Sequence, residues 1–504
     1  MVDERRNPEM RTVVSAALAA VVVGGLVAGC GDPGGKPDAL SWCPTVPGYT
    51  VECGQVQRPL VADRPDLGTV DIGYALVRHG KDVPSAGTVV PNPGGPGVPM
   101  IAHAAEAVAV SEHLLADHDL LLIDPRGTGV SSPLDCGIDA RQFQLGTREQ
   151  QLAAVEHCGA QLGSRAAGYT SAAAADDFDA VRERLGVPKL VLYGISYGTY
   201  LMPVYAQRHP DHVQSIVLTG AYSPDMNQLG TANAEAVSLA LQRICERSRA
   251  CDGNAAVADL AAVAQRMRTR PITVATDHGP LLLDEGKLGN LVFEAGTSNV
   301  GAHPEQLVPL GMLPAALHGA VRGDDRGISE FVRATTDEPA YENIGSYVAV
   351  TCNDYPTLWS PDASLPQREQ QYRQALANPP AESGAFSVEG FGAALRDGGD
   401  SCIRWPGLKN HQRPDQMREP LPNVPVLVLS GDLDAITPDA NGKRAAARFA
   451  NATFVSVPNT GHVPDLEPSG CVTGIVAEFV RTGAPGSTAC LSAIPPIAVT
   501  PVAG

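Results

Sequence analysis

A chain of 504 residues is longer than one small domain requires and suits one large domain carrying an insertion. Hydrophobic residues make up 44% of it, enough for a substantial core, and no internal repeat or long low-complexity tract appears. The formal net charge of −18 excludes the basic surface that nucleic acid or an anionic membrane would need, and leaves a soluble acidic protein of unspecified substrate.

Arg5, Arg6 and Arg11 precede an uncharged stretch from Thr12 to Gly31, which reads as the n-region and h-region of a signal peptide. The stretch ends in Val27-Ala28-Gly29-Cys30, which resembles a bacterial lipobox. Residues 1–29 are therefore expected to be removed, and Cys30 to become the lipidated first residue. An uncleaved anchor is the alternative, since the stretch is just long enough to span a bilayer. Small residues and a cysteine at the place of processing favour cleavage. Residues 30–40 follow as a flexible tether, so the membrane is met through the lipid alone, at the outer face of the cytoplasmic membrane in the cell envelope. Cysteine usage fits export. Of 11 cysteines, setting Cys30 aside leaves ten, in neighbouring couples for which five bridges in chain order are the simplest pairing. No Cys-x-x-Cys or His-x-x-x-His spacing points to a metal.

From about Ser41 apolar runs alternate with helical patterns. Strands are expected at Val70–Val77, Thr88–Val90, Leu120–Ile123, Leu190–Tyr193, Ser215–Leu218, Val426–Leu429 and Phe454–Val457. Helical patterns fall between them at Ala174–Leu185, Tyr200–Arg208 and Ala440–Phe449. Such alternation implies an α/β fold with a mostly parallel, doubly wound sheet, whose ligand site lies at the carboxyl ends of the strands. The first part of this core runs over 41–222. The alternation then breaks: 223–419 reads as a helical cap insertion, with Ala236–Arg247, Ala255–Arg268 and Arg368–Ala375 its clearest helices. The core resumes over 420–491, and 492–504, rich in Pro and Ala, reads as a flexible tail.

The chemistry is carried by Gly194-Ile195-Ser196-Tyr197-Gly198, where an apolar run meets a helical pattern. Strand, tight turn and helix in that order form a nucleophile elbow, which exposes the Ser196 hydroxyl above the sheet at a helix N-terminus. A serine nucleophile needs a base, and the base an orienting carboxylate. Asp434 lies just past the strand Val426–Leu429, and His462 lies on the loop after the next strand. The order Ser196, Asp434, His462 is that of α/β-hydrolases. Asp432 is the rival orienting group. The oxyanion hole should come from the loop after Thr88–Val90, where Pro93 and Pro96 have no N–H. Its donors are Gly94, Gly95 or Gly97, with Gly95 preferred, and the Tyr197 amide supplies the second bond. In Asp124-Pro125-Arg126-Gly127, Asp124 and Arg126 are read as pins of a sharp turn rather than catalytic groups.

Five segments together resemble secreted tripeptidyl aminopeptidases, of the prolyl aminopeptidase-related branch of α/β-hydrolase serine peptidases. They are Asn-Pro-Gly-Gly-Pro-Gly at 92–97, Asp-Pro-Arg-Gly-Thr-Gly at 124–129, Tyr-Gly-Ile-Ser-Tyr-Gly at 193–198, Gly-Asp-Leu-Asp-Ala-Ile-Thr-Pro at 431–438 and Gly-His-Val at 461–463. The segment with Cys471 and Cys490 is similar to that family's TAP-like C-terminal region. Val98-Pro99 departs from the small residues usual after Gly-Pro-Gly, which reshapes the mouth of the site without removing a donor. The resemblance implies release of short peptides from a free N-terminus, so cap carboxylates should face Ser196. Asp354, in a family Cys-x-Asp pattern beside Cys352, and Glu294 are the candidates. The partner is then a peptide substrate, and no cofactor or metal is needed. A carboxylesterase or lipase acting on envelope esters would use the same machinery. A lipoprotein that merely binds a ligand would lack a triad member, and none is missing. Dehalogenase and epoxide hydrolase chemistry require an Asp where Ser196 stands.

Overall fold

Short runs of Val, Leu and Ile bounded by Gly, Pro and Asn build the centre of the sheet, as the sequence leads one to expect. The computed structural model describes residues 40–80, 84–223, 226–337, 343–408, 413–414 and 420–502. The signal segment, Cys30 and nearly all of the tether lie outside the described residues.

Ten strands are described: β1 Val51–Pro59, β2 Thr69–Val77, β3 Thr88–Asn92, β4 Asp119–Ile123, β5 Leu190–Ile195, β6 Val213–Thr219, β7 Ile272–Thr276, β8 Gly279–Leu283, β9 Val426–Gly431 and β10 Ala452–Val457. Eight form one sheet in the order β1-β2-β4-β3-β5-β6-β9-β10. β1 and β2 run antiparallel, as do β2 and β4, and every other neighbouring pair is parallel. β1 is not among the expected strands. In Val51-Glu52-Cys53-Gly54-Gln55-Val56-Gln57 too few apolar residues alternate to signal it; it is an edge strand held by nine residues paired with β2 and by the Cys43–Cys53 disulfide.

The central strands β4, β5 and β9 are predominantly apolar because both their faces are covered. Alternate residues of β5 show this: Leu190 and Leu192 join a core with Phe178, Val181, Leu201 and Met202. These come from the helices Ser171–Arg184 and Gly198–Arg208. Val191 and Tyr193 join a second core with Val472, Ile475 and Phe479 of the helix Cys471–Thr482.

Between β6 and β9 the chain is mostly helical, with one element the sequence did not signal, the antiparallel hairpin β7–β8. The helices Thr231–Ser248, Gly253–Thr269, Pro309–Val321 and Arg326–Thr336 enclose a third core around Leu241, Leu260, Leu313 and Phe331. Leu433 and Ala435, from the loop after β9, belong to that same core. The insertion is thus packed directly onto the loop that carries Asp434. All five disulfides join cysteines in chain order: Cys43–Cys53, Cys136–Cys158, Cys245–Cys251, Cys352–Cys402 and Cys471–Cys490. The tail over 492–504 corrects the expectation of a flexible end as far as it is described. Ile494 and Ile497 are buried in two different cores, and the Thr500 and Val502 amides donate to the carbonyls of Gly311 and Ala250. Two well-placed isoleucines outweigh a composition that otherwise suggests fraying.

Asp124 and Arg126 act as pins. Asp124 accepts from the Met100, Ile101 and Val130 amides. Arg126 forks onto Asp177 with two contacts of 2.7 Å and donates to the carbonyls of Leu60 and Gly168. Both partners are almost fully buried, and burial pushes the Asp177 carboxyl up while Arg126 pulls it down. Removing the guanidinium leaves buried Asp177 with only the longer 3.3 Å contact from Arg58, so Arg126→Met is expected to lower the unfolding free energy by about 3 kcal/mol. The urea midpoint at unchanged slope measures it, and a loss under about 1 kcal/mol would contradict this role.

Candidate active site

Ser196 sits between the end of β5 and the start of the helix Gly198–Arg208, with φ 54, in the left-handed region that a side chain rarely adopts. The Ser196 amide donates to the Thr219 carbonyl at the end of β6, 3.0 Å away. The flanking glycines are a matter of space. A Cβ at Gly194 would stand 2.3 Å from the Gly198 carbonyl oxygen, and one at Gly198 would stand 2.4 Å from that of Asn92.

His462 Nδ1 lies 3.0 Å from Asp434 Oδ2. Both residues are buried. The Thr437 hydroxyl donates to the same carboxylate oxygen at 2.6 Å and lies 2.9 Å from the ring nitrogen. The Ile436 and Thr437 amides donate to Asp434 Oδ1. Burial pushes the Asp434 carboxyl up, but the imidazole and these donors outweigh it and hold it below the ordinary carboxylate range. Asp434 therefore stays ionised at neutral pH, and this contribution to stability is lost only as pH falls through its depressed value. Asp432 is elsewhere: its carboxylate is paired with Arg247 and accepts from the Asn459 amide. Of the two aspartates, the structure brings Asp434 to the histidine.

The ring of His462 lies against Gly220, where a Cβ would stand 3.1 Å from its Cε1 and Nδ1. The histidine and the serine turn thus converge on the end of β6, the strand residue before Gly220 being the acceptor of the Ser196 amide. The insertion seats the histidine loop, since the His462 amide donates to the Thr297 carbonyl.

The loop after β3 arrives from the other side. The Gly94 amide is taken by Asn92 Oδ1 at 3.2 Å. Neither the Gly95 nor the Tyr197 amide has a hydrogen-bond acceptor among the described residues. Gly94 packs on the serine turn, a Cβ there standing 2.7 Å from the Ile195 carbonyl oxygen, 2.8 Å from Ser196 Cβ and 3.0 Å from the Tyr197 nitrogen. Backbone donors without an acceptor, a serine hydroxyl at a strained turn and an imidazole backed by a carboxylate are the groups that acyl transfer requires.

Two expected substrate-binding carboxylates fare differently. Asp354 has no exposed surface, and its carboxylate accepts the Ser171 amide at the start of the helix Ser171–Arg184. A carboxylate placed behind Tyr197 in this way supports the site and is not presented to a ligand amine, which corrects that expectation. Glu294 is half-buried and paired with Arg396, and accepts from the Asn290 amide nitrogen. Beside this pair lies Asp397, which sequence reasoning missed. It shares a cavity of about 50 Å³ with Tyr222, Phe293 and Asn441, and accepts from the Tyr222 hydroxyl. Burial, then the charge of Glu294, push the Asp397 carboxyl up. No spacing linked it to Ser196; only the packing of the insertion does.

A family model described as an alpha/beta hydrolase fold matches residues 87–248, and one described as a TAP-like protein matches 387–490. The chain has an α/β-hydrolase fold and carries a TAP-like region over 387–490. This hydrolase is 29% identical over 198 residues to a tripeptidyl aminopeptidase of Streptomyces lividans, covering 36% of this chain and 37% of that protein. It is 31% identical over 251 residues to the serine protease Hip1 of Mycobacterium tuberculosis, covering 43% of this chain and 47% of that protein. It is also 25% identical over 441 residues to the putative hydrolase YuaR of Escherichia coli, covering 81% of each. The chain thus spans less than half the length of the first two relatives. Its five disulfides mark a protein that folds in an oxidising compartment, outside the cytoplasm. No described helix is long and apolar enough to cross a membrane.

The contact at Gly94 generates a prediction. Gly94→Ala places a methyl group against backbone at φ 101 and is expected to slow labelling of Ser196 by a fluorophosphonate about 100-fold or more. The far-ultraviolet spectrum should be retained. Unchanged labelling would show that the loop does not form part of the site.

Proposed function

We propose that this hydrolase is an exported, lipid-anchored serine exopeptidase that releases short peptides, tripeptides in particular, from free N-termini. Ser196 attacks the scissile carbonyl carbon while His462 takes the hydroxyl proton. Asp434 holds the ring in the tautomer that keeps Nε2 available and stabilises the imidazolium that forms. The Gly95 and Tyr197 amides receive the oxyanion; His462 then protonates the leaving amine, and water cleaves the acyl-enzyme by the same path. The observation that carries this reading is the Asp434–His462 contact on the strand end to which the Ser196 turn is hydrogen-bonded. Lipidation of Cys30 remains a proposal from the sequence, and the names of the tripeptidyl aminopeptidase and Hip1 relatives support peptide over ester.

The free amine is assigned to Glu294 with Asp397. A carboxylate whose charged form is disfavoured by burial and by a second carboxylate gains most when an ammonium arrives. The cavity at Asp397 has room for an amine head and little more. The backbone links it to the nucleophile, because the Tyr222 amide donates to the Thr199 hydroxyl, which donates to the Ser196 carbonyl.

The test compares a free-amine tripeptidyl anilide, its N-acetylated twin and a short acyl ester. Turnover of the free-amine peptide is expected, reduced about 10⁴-fold or more in Ser196→Ala. Ester turnover with both peptides untouched would reassign the protein to envelope ester hydrolysis. Glu294→Gln is expected to raise KM for the free-amine peptide about 30-fold, the equivalent of about 2 kcal/mol, with ester turnover unchanged. Because Asp397 binds an ammonium only when ionised, KM for the peptide should fall as pH rises from acid towards neutral, while KM for the ester should not follow. Parallel profiles would exclude Asp397 from the amine site.

A further inference from the structure

At the far end of the helix Gly198–Arg208 from Ser196, the chain turns through Pro210–His212. There His209 and His212 meet Asp176 and Asp179, on the helix Ser171–Arg184, each pair 33 residues apart in sequence. His209 Nε2 lies 2.9 Å from Asp176 Oδ1. A ring nitrogen that donates there leaves Nδ1 with its lone pair, the arrangement by which a carboxylate prepares a metal-binding histidine. That Nδ1 faces Asp179 Oδ2 across 3.5 Å. Two acceptors facing each other repel unless a cation stands between them. The gap exceeds an ordinary hydrogen bond and matches the roughly 3.3–3.4 Å between ligands of a tetrahedral ion bound at about 2.0–2.1 Å.

The third group is His212, whose Nδ1 lies 2.7 Å from Asp179 Oδ1 and whose ring is parallel to that of His209 within 8°. One donor atom from each of Asp179, His209 and His212 lies within 4.8 Å of the other two. Asp179 is held in place by the Tyr205 hydroxyl and Arg182 Nε on Oδ1, with Arg182 Nη2 3.3 Å from Oδ2. Arg208 forks onto Asp176 and leaves the His209 contact intact.

We propose that Asp179, His209 and His212 bind one divalent transition-metal ion of the zinc type, with water as fourth ligand and Asp176 orienting His209. The ion staples the helix before β5 to the helix after it. It takes no part in hydrolysis, since an 11-residue helix holds it about 16 Å from the Ser196 turn.

The test uses the full chain in detergent, purified without a polyhistidine tag, stripped with EDTA and titrated calorimetrically with zinc. One zinc per chain is expected, with a rise in melting temperature at saturation and the same affinity in Ser196→Ala. His209→Gln and His212→Gln should each abolish saturable binding, and Asp176→Asn should weaken it about 10-fold or more. Absence of saturable zinc binding by the wild-type chain would overturn the proposal, as would unchanged affinity in both glutamine variants. A melting temperature that responds to acidification and not to zinc would also overturn it, leaving a proton between His209 and Asp179.

Discussion

Everything at the proposed active site is arranged around a shortage of space at one turn. At Ser196 the end of β5, the start of the following helix and the loop after β3 approach so closely that a single added carbon at Gly94, Gly194 or Gly198 would collide with backbone. The serine itself carries the strained conformation that this crossing demands. The surrounding strands hold it there, through the Thr219 carbonyl on its amide and through cores packed on both faces of β5. The strain is maintained because a large sheet, packed on both faces, over-determines the geometry.

The charged machinery follows a complementary rule. Asp434 is buried, which alone would favour its neutral form, yet three donors and an imidazole surround it, so the ionised form prevails. Asp397 is half-buried with one hydroxyl donor, and desolvation and the neighbouring Glu294 outweigh Arg396, so its charged form is disfavoured. Two carboxyl groups of the same protein are thereby shifted in opposite directions by their surroundings. The insertion between β6 and β9 serves both. Its core includes Leu433 and Ala435 around Asp434, its Thr297 carbonyl seats His462, and it carries Glu294 and Asp397 itself.

What was legible in the sequence is instructive residue by residue. The parallel strands were visible because burial on both faces makes them continuous apolar runs. β1 and the hairpin β7–β8 were not, since an edge strand and a small exposed ribbon have weak alternation. The disulfides follow chain order, which local pairing makes simplest. The tail was misread because composition does not reveal that Ile494 and Ile497 meet two separate cores. Asp354 matched a family pattern, but its burial behind Tyr197 gives it a supporting place.

Residue types and their order specify the fold class and the chemistry of the Ser196 turn: alternating apolar runs and helical patterns dictate the doubly wound sheet, and the glycines around Ser196 are a steric requirement. The sequence also determined the chain order of serine, aspartate and histidine. Tertiary structure alone decided that Asp434 rather than Asp432 reaches His462, that Asp397 stands beside Glu294, and that His209 and His212 meet Asp176 and Asp179. The physical reason is range. Steric and periodic constraints act between residues a few positions apart, whereas the electrostatic partners of a buried side chain are chosen by packing between segments tens to about a hundred positions apart, where residue type and spacing can nominate a partner but not choose it.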